Sequence, residues 1–198
     1  MTEPSLVQVL LFDDVEVLDF AGPFEVFAVT GLRTGPAPFQ VETVGLTAAP
    51  IRARNGLQVQ PSLSIERSGP CDVLVIPGGY GTRREMHNEV LLAWIRRQAE
   101  SARVILSVCT GSLLLARAGL LDGLDATTHH GAFDELAAAS PTTRVQRGRR
   151  MVDNGKIVTS AGISAGIDAA LHVVGRLLGR GAATETAAYM EYDWNEQA

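Results

Sequence analysis

Val104-Ile105-Leu106-Ser107-Val108-Cys109-Thr110-Gly111-Ser112-Leu113-Leu114-Leu115-Ala116-Arg117 is the stretch from which the rest of the chain can be read. An apolar run of strand length meets a cysteine and two small residues, and a helix-compatible run follows. That pattern places Cys109 on a strand-to-helix corner. Such a corner exposes its side chain at the end of a strand, and Gly111 and Ser112 let backbone and ligand approach closely. The sulfur would face the positive end of the following helix, which favours thiolate over thiol and puts its pKa below the free value of about 8.5. A free cysteine is also commonly a small buried hydrophobe, so the corner alone leaves both readings open.

Working outward, apolar runs of strand length alternate with helix-compatible segments along the whole chain, the pattern of a parallel sheet covered on both faces. Strands are expected at Val7 to Phe12, Phe39 to Val44, Asp72 to Ile76, Asp125 to Thr128 and Ile157 to Thr159. Pro23 to Val29 reads as a short helix entered at its proline. Further helices are expected over Val90 to Ala99, Phe133 to Ala139, Ile167 to Leu178 and about Ala182 to Met190. Asn55-Gly56 suits a tight type I′ turn in a hairpin from Ile51 to Val59, and Asn154-Gly155 offers a second hairpin turn. No repeat or composition break marks a second unit, so residues 1–198 are expected to form one α/β domain.

With 198 residues, 46% hydrophobic and 20% charged, the composition is that of an ordinary globular protein. The formal charge of −5 argues against a nucleic-acid module, whose affinity rests on neutralising phosphates. The largest basic group, Arg147 with Arg149 and Arg150, reads as solvated surface. The apolar run from Leu6 to Phe12 leads into Asp13-Asp14 rather than a small-residue cleavage site, and no run approaches transmembrane length. Together these features predict a cytoplasmic protein with no membrane contact. Cys71 and Cys109 are expected to be reduced thiols.

Ligands in open α/β sheets bind beyond the carboxyl ends of the strands, and four unusual features fall at such ends. Asp19 follows the first strand, Gly78-Gly79 the Asp72 strand, Cys109 the Val104 strand, and Gly162-Ile163 the Ile157 strand. They could supply an acid, an oxyanion site, a nucleophile and a wall. For Asp19 a helix cap is the favoured reading from sequence, without excluding a carboxyl facing the thiol. Gly78-Gly79-Tyr80-Gly81 lacks dinucleotide-binding spacing; its glycines more plausibly aim a backbone N–H at a developing negative charge, with a plain tight turn as the alternative. His129-His130 suggests a metal pair, yet adjacent side chains on extended backbone point to opposite faces, and no further ligands lie in metal spacing. No metal or cofactor is expected.

Val17-Leu18-Asp19-Phe20-Ala21-Gly22-Pro23-Phe24-Glu25-Val26-Phe27, Ile76-Pro77-Gly78-Gly79, the Cys109 elbow, Ala126-Thr127-Thr128-His129 and Thr159-Ser160-Ala161-Gly162-Ile163-Ser164-Ala165-Gly166-Ile167-Asp168 resemble the ThiJ/PfpI superfamily. They look most like the branch containing isonitrile hydratases and the amidotransferase-like domains of AraC-type regulators. The resemblance implies a flavodoxin-like three-layer sandwich with a mostly parallel sheet, a homodimer, and a small-molecule substrate. It makes Cys109 the nucleophile, Asp19 its acid partner, and Thr110 a bonding partner of the reacting site. It also implies addition of water to an isonitrile to give an N-substituted formamide. The alternatives within the superfamily are a redox- or metabolite-sensing protein and a glyoxalase- or deglycase-like enzyme. Two departures are visible: superfamily members described as proteases or deglycases usually carry glutamate and histidine at the positions of Asp19 and Thr110, and the hydratase branch typically has tryptophan where His130 stands.

Overall fold

Strand β1 (Ser5–Leu11) forms because Val7, Val9, Leu10 and Leu11 are all removed from solvent, which requires cover on both faces of the strand. The computed structural model describes residues 3–32 and 35–194. In chain order β1 is followed by α1 (Val17–Val29), β2 (Phe39–Gly45), the short pair β3 (Ile51–Arg52) and β4 (Gln58–Val59), β5 (Leu63–Ser64) and β6 (Val73–Ile76). Then come α2 (Thr82–Glu85), α3 (Glu89–Ser101), β7 (Val104–Val108), α4 (Gly111–Arg117), β8 (Asp125–Ala126) and α5 (Phe133–Ala139). The chain closes with β9 (Arg144–Val145), β10 (Met151–Asp153), β11 (Ile157–Ser160), α6 (Ala165–Leu178) and α7 (Arg180–Tyr189).

The main sheet has the order β10-β11-β7-β6-β1-β2-β5. Every neighbouring pair is parallel except the β10–β11 hairpin. Helices α1, α6 and α7 pack on one another, as do α2, α3, α4 and α5, and the sheet lies between these groups in a three-layer α/β sandwich. The core runs through β1, β6 and β7, whose apolar side chains are nearly all inaccessible, and continues into Trp94 and Ile95 of α3 and Leu113 to Leu115 of α4. The carboxyl ends of β1, β6, β7 and β11 therefore meet at one edge.

Several local expectations change. Helix α1 begins six residues before Pro23, which lies inside it and removes the N–H that would bond the Asp19 carbonyl. Burial of Phe20, Val26 and Phe27 against the core outweighs that lost bond. The β3–β4 hairpin pairs Ile51 with Val59 and Arg52 with Gln58, so its turn is longer than Asn55-Gly56 and includes Arg54. Asn55 and Gly56 both take positive φ, as their types allow. The expected strand from Asp125 to Thr128 is only two residues long and pairs with β9 outside the main sheet. Arg150 is not a solvated arginine: its guanidinium pairs with the buried carboxylate of Asp168, which also accepts from Tyr192 at 3.0 Å.

Candidate active site

Cys109 follows the last residue of β7 and precedes α4, with φ at 56°. A non-glycine residue holds that left-handed conformation only where its surroundings over-determine it. Here its N–H donates to the Ser160 carbonyl at 3.1 Å, and its carbonyl accepts from the Thr128 hydroxyl at 2.9 Å and the Ser112 hydroxyl at 3.3 Å. The strand-to-helix corner read from the sequence is thus present and is fastened to β11 and to the 127–128 segment.

Asp19 is not the cap of its helix. Glu16 occupies that position without a side-chain bond, while Asp19 lies in the first turn and is completely buried. Its Oδ2 accepts from the Gly78 N–H at 3.1 Å, the Cys109 thiol lies against the carboxyl, and Oδ1 has no hydrogen-bond partner among the described residues. Burial pushes this carboxyl up to about 7, against the lowering effect of the thiol and the Gly78 N–H, with nearby Glu16 adding to the rise. Burial pushes the Cys109 thiol up as well, to about 12, and the Asp19 charge adds to this. The lowered thiol read from the corner is therefore overturned. Burial and the Asp19 charge outweigh the Thr110 N–H at the start of α4, which favours the thiolate.

The glycines read as site residues lie where side chains would collide. A Cβ on Gly78 would stand 2.5 Å from the Thr110 nitrogen, 2.7 Å from its Oγ1 and 2.9 Å from Asp19 Oδ2. One on Gly162 would stand 2.8 Å from the Cys109 sulfur and 2.8 Å from His129 Cδ2. The Gly78 and Gly79 N–H groups expected to face a developing anion are already engaged, the first by Asp19 and the second by Thr110 Oγ1 at 3.0 Å. The Thr110 hydroxyl is also tied to the Gly79 carbonyl and to Thr82. The Thr110 backbone N–H is the donor beside the sulfur, where it favours the thiolate.

Above Cys109 opens a cleft of about 670 Å³. Gly79, Thr110 and Ile163 line it together with Cys109, and so do Tyr80, Arg54 and Arg83. His129 and His130 do not point apart: their rings stack at 4.2 Å, because His130 opens a tight helical turn instead of continuing extended backbone. His129 lines the cleft, accepts from the Gly131 N–H at its Nδ1, and is held below its ordinary pKa by burial and by the neighbouring His130 and Arg83. With Nδ1 accepting from Gly131, the ring presents its N–H at Nε2. Among the described residues no group of three or more His, Cys, Asp or Glu is placed to hold a metal ion, and no helix is long and apolar enough to cross a membrane.

Residues 6–176 match the DJ-1/PfpI family. The chain belongs to that family. It is 39% identical over 186 residues to a Pseudomonas putida protein named isonitrile hydratase, covering 92% of this chain and 76% of that one. It is 30% identical over 177 residues to the HTH-type transcriptional regulator GbdR of Pseudomonas aeruginosa, covering 89% of this chain but only 48% of the regulator. A ThiJ/PfpI family protein from Pseudomonas syringae superimposes with a TM-score of 0.88 at 28% identity, over all of this chain and 78% of the other.

Within this DJ-1/PfpI site, sequence reasoning anticipated Cys109, Asp19, Thr110, Gly78, Gly79, Gly162 and Ile163, and the fold brings all seven together. It missed Arg54, Tyr80, Arg83 and Glu135, which come from a hairpin turn, a loop and two helices. The signal available for Arg54 was its place beside Asn55-Gly56, a turn read only as a connector. Cys71, the other free thiol, is 4% exposed at the foot of β6, and burial pushes it up to about 12 as well. Neither ionisation nor overall exposure, 4% against 6% for Cys109, separates the two cysteines; what distinguishes Cys109 is the cleft that it lines. Iodoacetamide on the folded protein, followed by peptide mass analysis, should label Cys109 well before Cys71; equal labelling would remove the cleft from the argument.

Proposed function

We propose that this DJ-1/PfpI protein is a cysteine-dependent hydratase of small isonitriles, with Cys109 as nucleophile and Asp19 as proton donor. One observation carries the reading: the buried carboxyl beside the sulfur is pushed up to about 7. At pH 7 an ordinary aspartate is only ~0.1% protonated, whereas burial lets this one keep its proton far more often. The likeness to a protein named isonitrile hydratase supports the same chemistry.

The carbon of R–N≡C is both the site of protonation and the site of nucleophilic attack. Asp19 delivers its proton to that carbon while the Cys109 sulfur bonds to it, and the carboxylate so formed takes the thiol proton. The product is a thioimidate, R–N=CH–S–Cys109. Water then adds to the same carbon, the C–S bond breaks, and the proton balance leaves R–NH–CHO with thiol and carboxyl restored. Thr110 N–H steadies the sulfur as its charge develops, and Gly162 leaves the carbon room beside it. The reaction needs no cofactor, and the reading takes a second copy of the chain as partner.

The same ionisation weakens a redox-sensor reading, because oxidation by peroxide proceeds through a thiolate that this environment disfavours. The test is loss of the isonitrile infrared band with formamide appearing by NMR, using methylglyoxal as competitor substrate. Faster turnover of methylglyoxal would replace the hydratase reading. Because the donor must be protonated, kcat/KM should be flat at low pH and fall as pH rises through about 7. A rate that climbs steadily to pH 9 would show that Asp19 does not deliver the proton.

A further inference from the structure

The cleft holds four charged side chains, Glu16, Arg54, Arg83 and Glu135, and they are unequally satisfied. Arg83 is already committed to a carboxylate: its Nε and Nη2 grip both oxygens of Glu135 at 2.8 and 2.7 Å, and its Nη1 donates to the Gly79 carbonyl at 3.3 Å. Arg54 is not. Its nearest carboxylate, Glu16, stands 3.9 Å from Nε, beyond hydrogen-bond reach, and its guanidinium makes no hydrogen bond with any described residue.

Arg54 is nevertheless held in place. Its backbone N–H donates to the Val15 carbonyl at 2.9 Å, which fixes the hairpin turn over the cleft. Its guanidinium lies over the Tyr80 ring, 4.4 Å from the centroid. A guanidinium stacked on a ring keeps its N–H edge free for a planar acceptor. Two-thirds of the side chain is covered, so the charge is partly desolvated, and its loose ion pair with Glu16 leaves the N–H groups without a hydrogen-bonded acceptor.

We infer that Arg54 determines specificity in this cleft, and that the substrate carries a carboxylate on the part that faces Arg54 while its reacting carbon meets Cys109. The term substrate here rests on the hydratase reading; the recognition of a carboxylate does not. A carboxylate fits better than a phosphate. It is planar and singly charged, matching one free guanidinium edge bidentately. A dianionic phosphate would meet Glu16 with twice the repulsion, and among the described residues lining the cleft the second arginine, Arg83, is already hydrogen-bonded to Glu135.

Two measurements separate the recognition from the reaction. The first compares isocyanoacetate with its methyl ester in wild type, Arg54→Met and Arg54→Lys. The acid-to-ester ratio of kcat/KM should favour the acid in wild type and fall roughly 10- to 100-fold in Arg54→Met, mainly through KM, with partial recovery in Arg54→Lys. The second compares alkylation of Cys109 by iodoacetate and by iodoacetamide, each referenced to N-acetylcysteine, and needs no turnover. Wild type should favour the anionic reagent relative to the free thiol, and Arg54→Met should lose that preference. An unchanged iodoacetate preference in Arg54→Met, or no preference in wild type, would overturn the inference. Arg54-dependent alkylation without isonitrile turnover would remove the hydratase reading and leave carboxylate recognition standing.

Discussion

Asp19→Asn should lose about 10²- to 10⁴-fold in isonitrile turnover, the usual cost of removing a positioned proton donor, while the protein becomes more stable above neutral pH. The amide can still accept from the Gly78 N–H, so the link between α1 and the end of β6 survives. The stability gain follows from the direction of the shift. The folded carboxyl titrates near 7 and the unfolded one near 3.8, so the unfolded chain ionises first as pH rises. The stability supplied by Asp19 is intact below about pH 4, drains away between the two values, and is gone above the folded one. An asparagine has no charge to bury, and at pH 8 the variant should gain up to about 4 kcal/mol over wild type, as an upper bound from the size of the shift. Chemical denaturation at pH 4 and pH 8, alongside single-turnover kinetics, reads both effects. Near-wild-type turnover in the folded variant would end the proton-donor role, and a variant less stable than wild type at pH 8 would show that the carboxyl is not held neutral by burial.

Gly78→Ala should damage fold and site together. The added methyl would press on the Thr110 backbone and hydroxyl and on the Asp19 oxygen that faces Gly78, and only the Asp19 side chain can turn away. Overpacking of this kind typically costs about 1–3 kcal/mol. The rate should suffer more. Displacing a reacting group by about 1 Å can cost 10²-fold, and here the acid and the residue after the nucleophile are pushed at once. Loss of turnover at least as large as in Asp19→Asn, in protein that still melts cooperatively, is the expected result. Normal kinetics in Gly78→Ala would mean that the close approach of β6 to the Cys109 corner is not needed for chemistry.

Much of this architecture is legible before any coordinate. Apolar runs of strand length separated by helical spacing announce a covered parallel sheet, because a strand buried on both faces has no polar alternation. The ends of those runs then select Asp19, Gly78, Cys109 and Gly162 as neighbours. Less legible are elements whose local preference yields to packing. Pro23 reads as a helix entrance, yet α1 starts at Val17, since burying Phe20 and the flanking apolar face outweighs one missing bond. His129 and His130 read as opposed on extended backbone, yet they stack because the chain turns between them.

By itself the sequence determined the three-layer class, the corner at Cys109 and the set of loops that meet there, since these depend on periodicity and on residues whose backbone preferences are local. The ionisation of Cys109 and Asp19 was decided only by tertiary structure. From sequence the helix after Cys109 argues for a thiolate, and in the folded chain burial beside a carboxyl reverses the direction. The charged part of the cleft was decided in the same way. Arg54, the segment from Tyr80 to Arg83, and Glu135 lie far apart along the chain, and whether a guanidinium is hydrogen-bonded to a carboxylate depends on acceptors that only folding brings within 3 Å. Hydrophobic pattern is carried along the chain, whereas desolvation and charge pairing are properties of the space between segments.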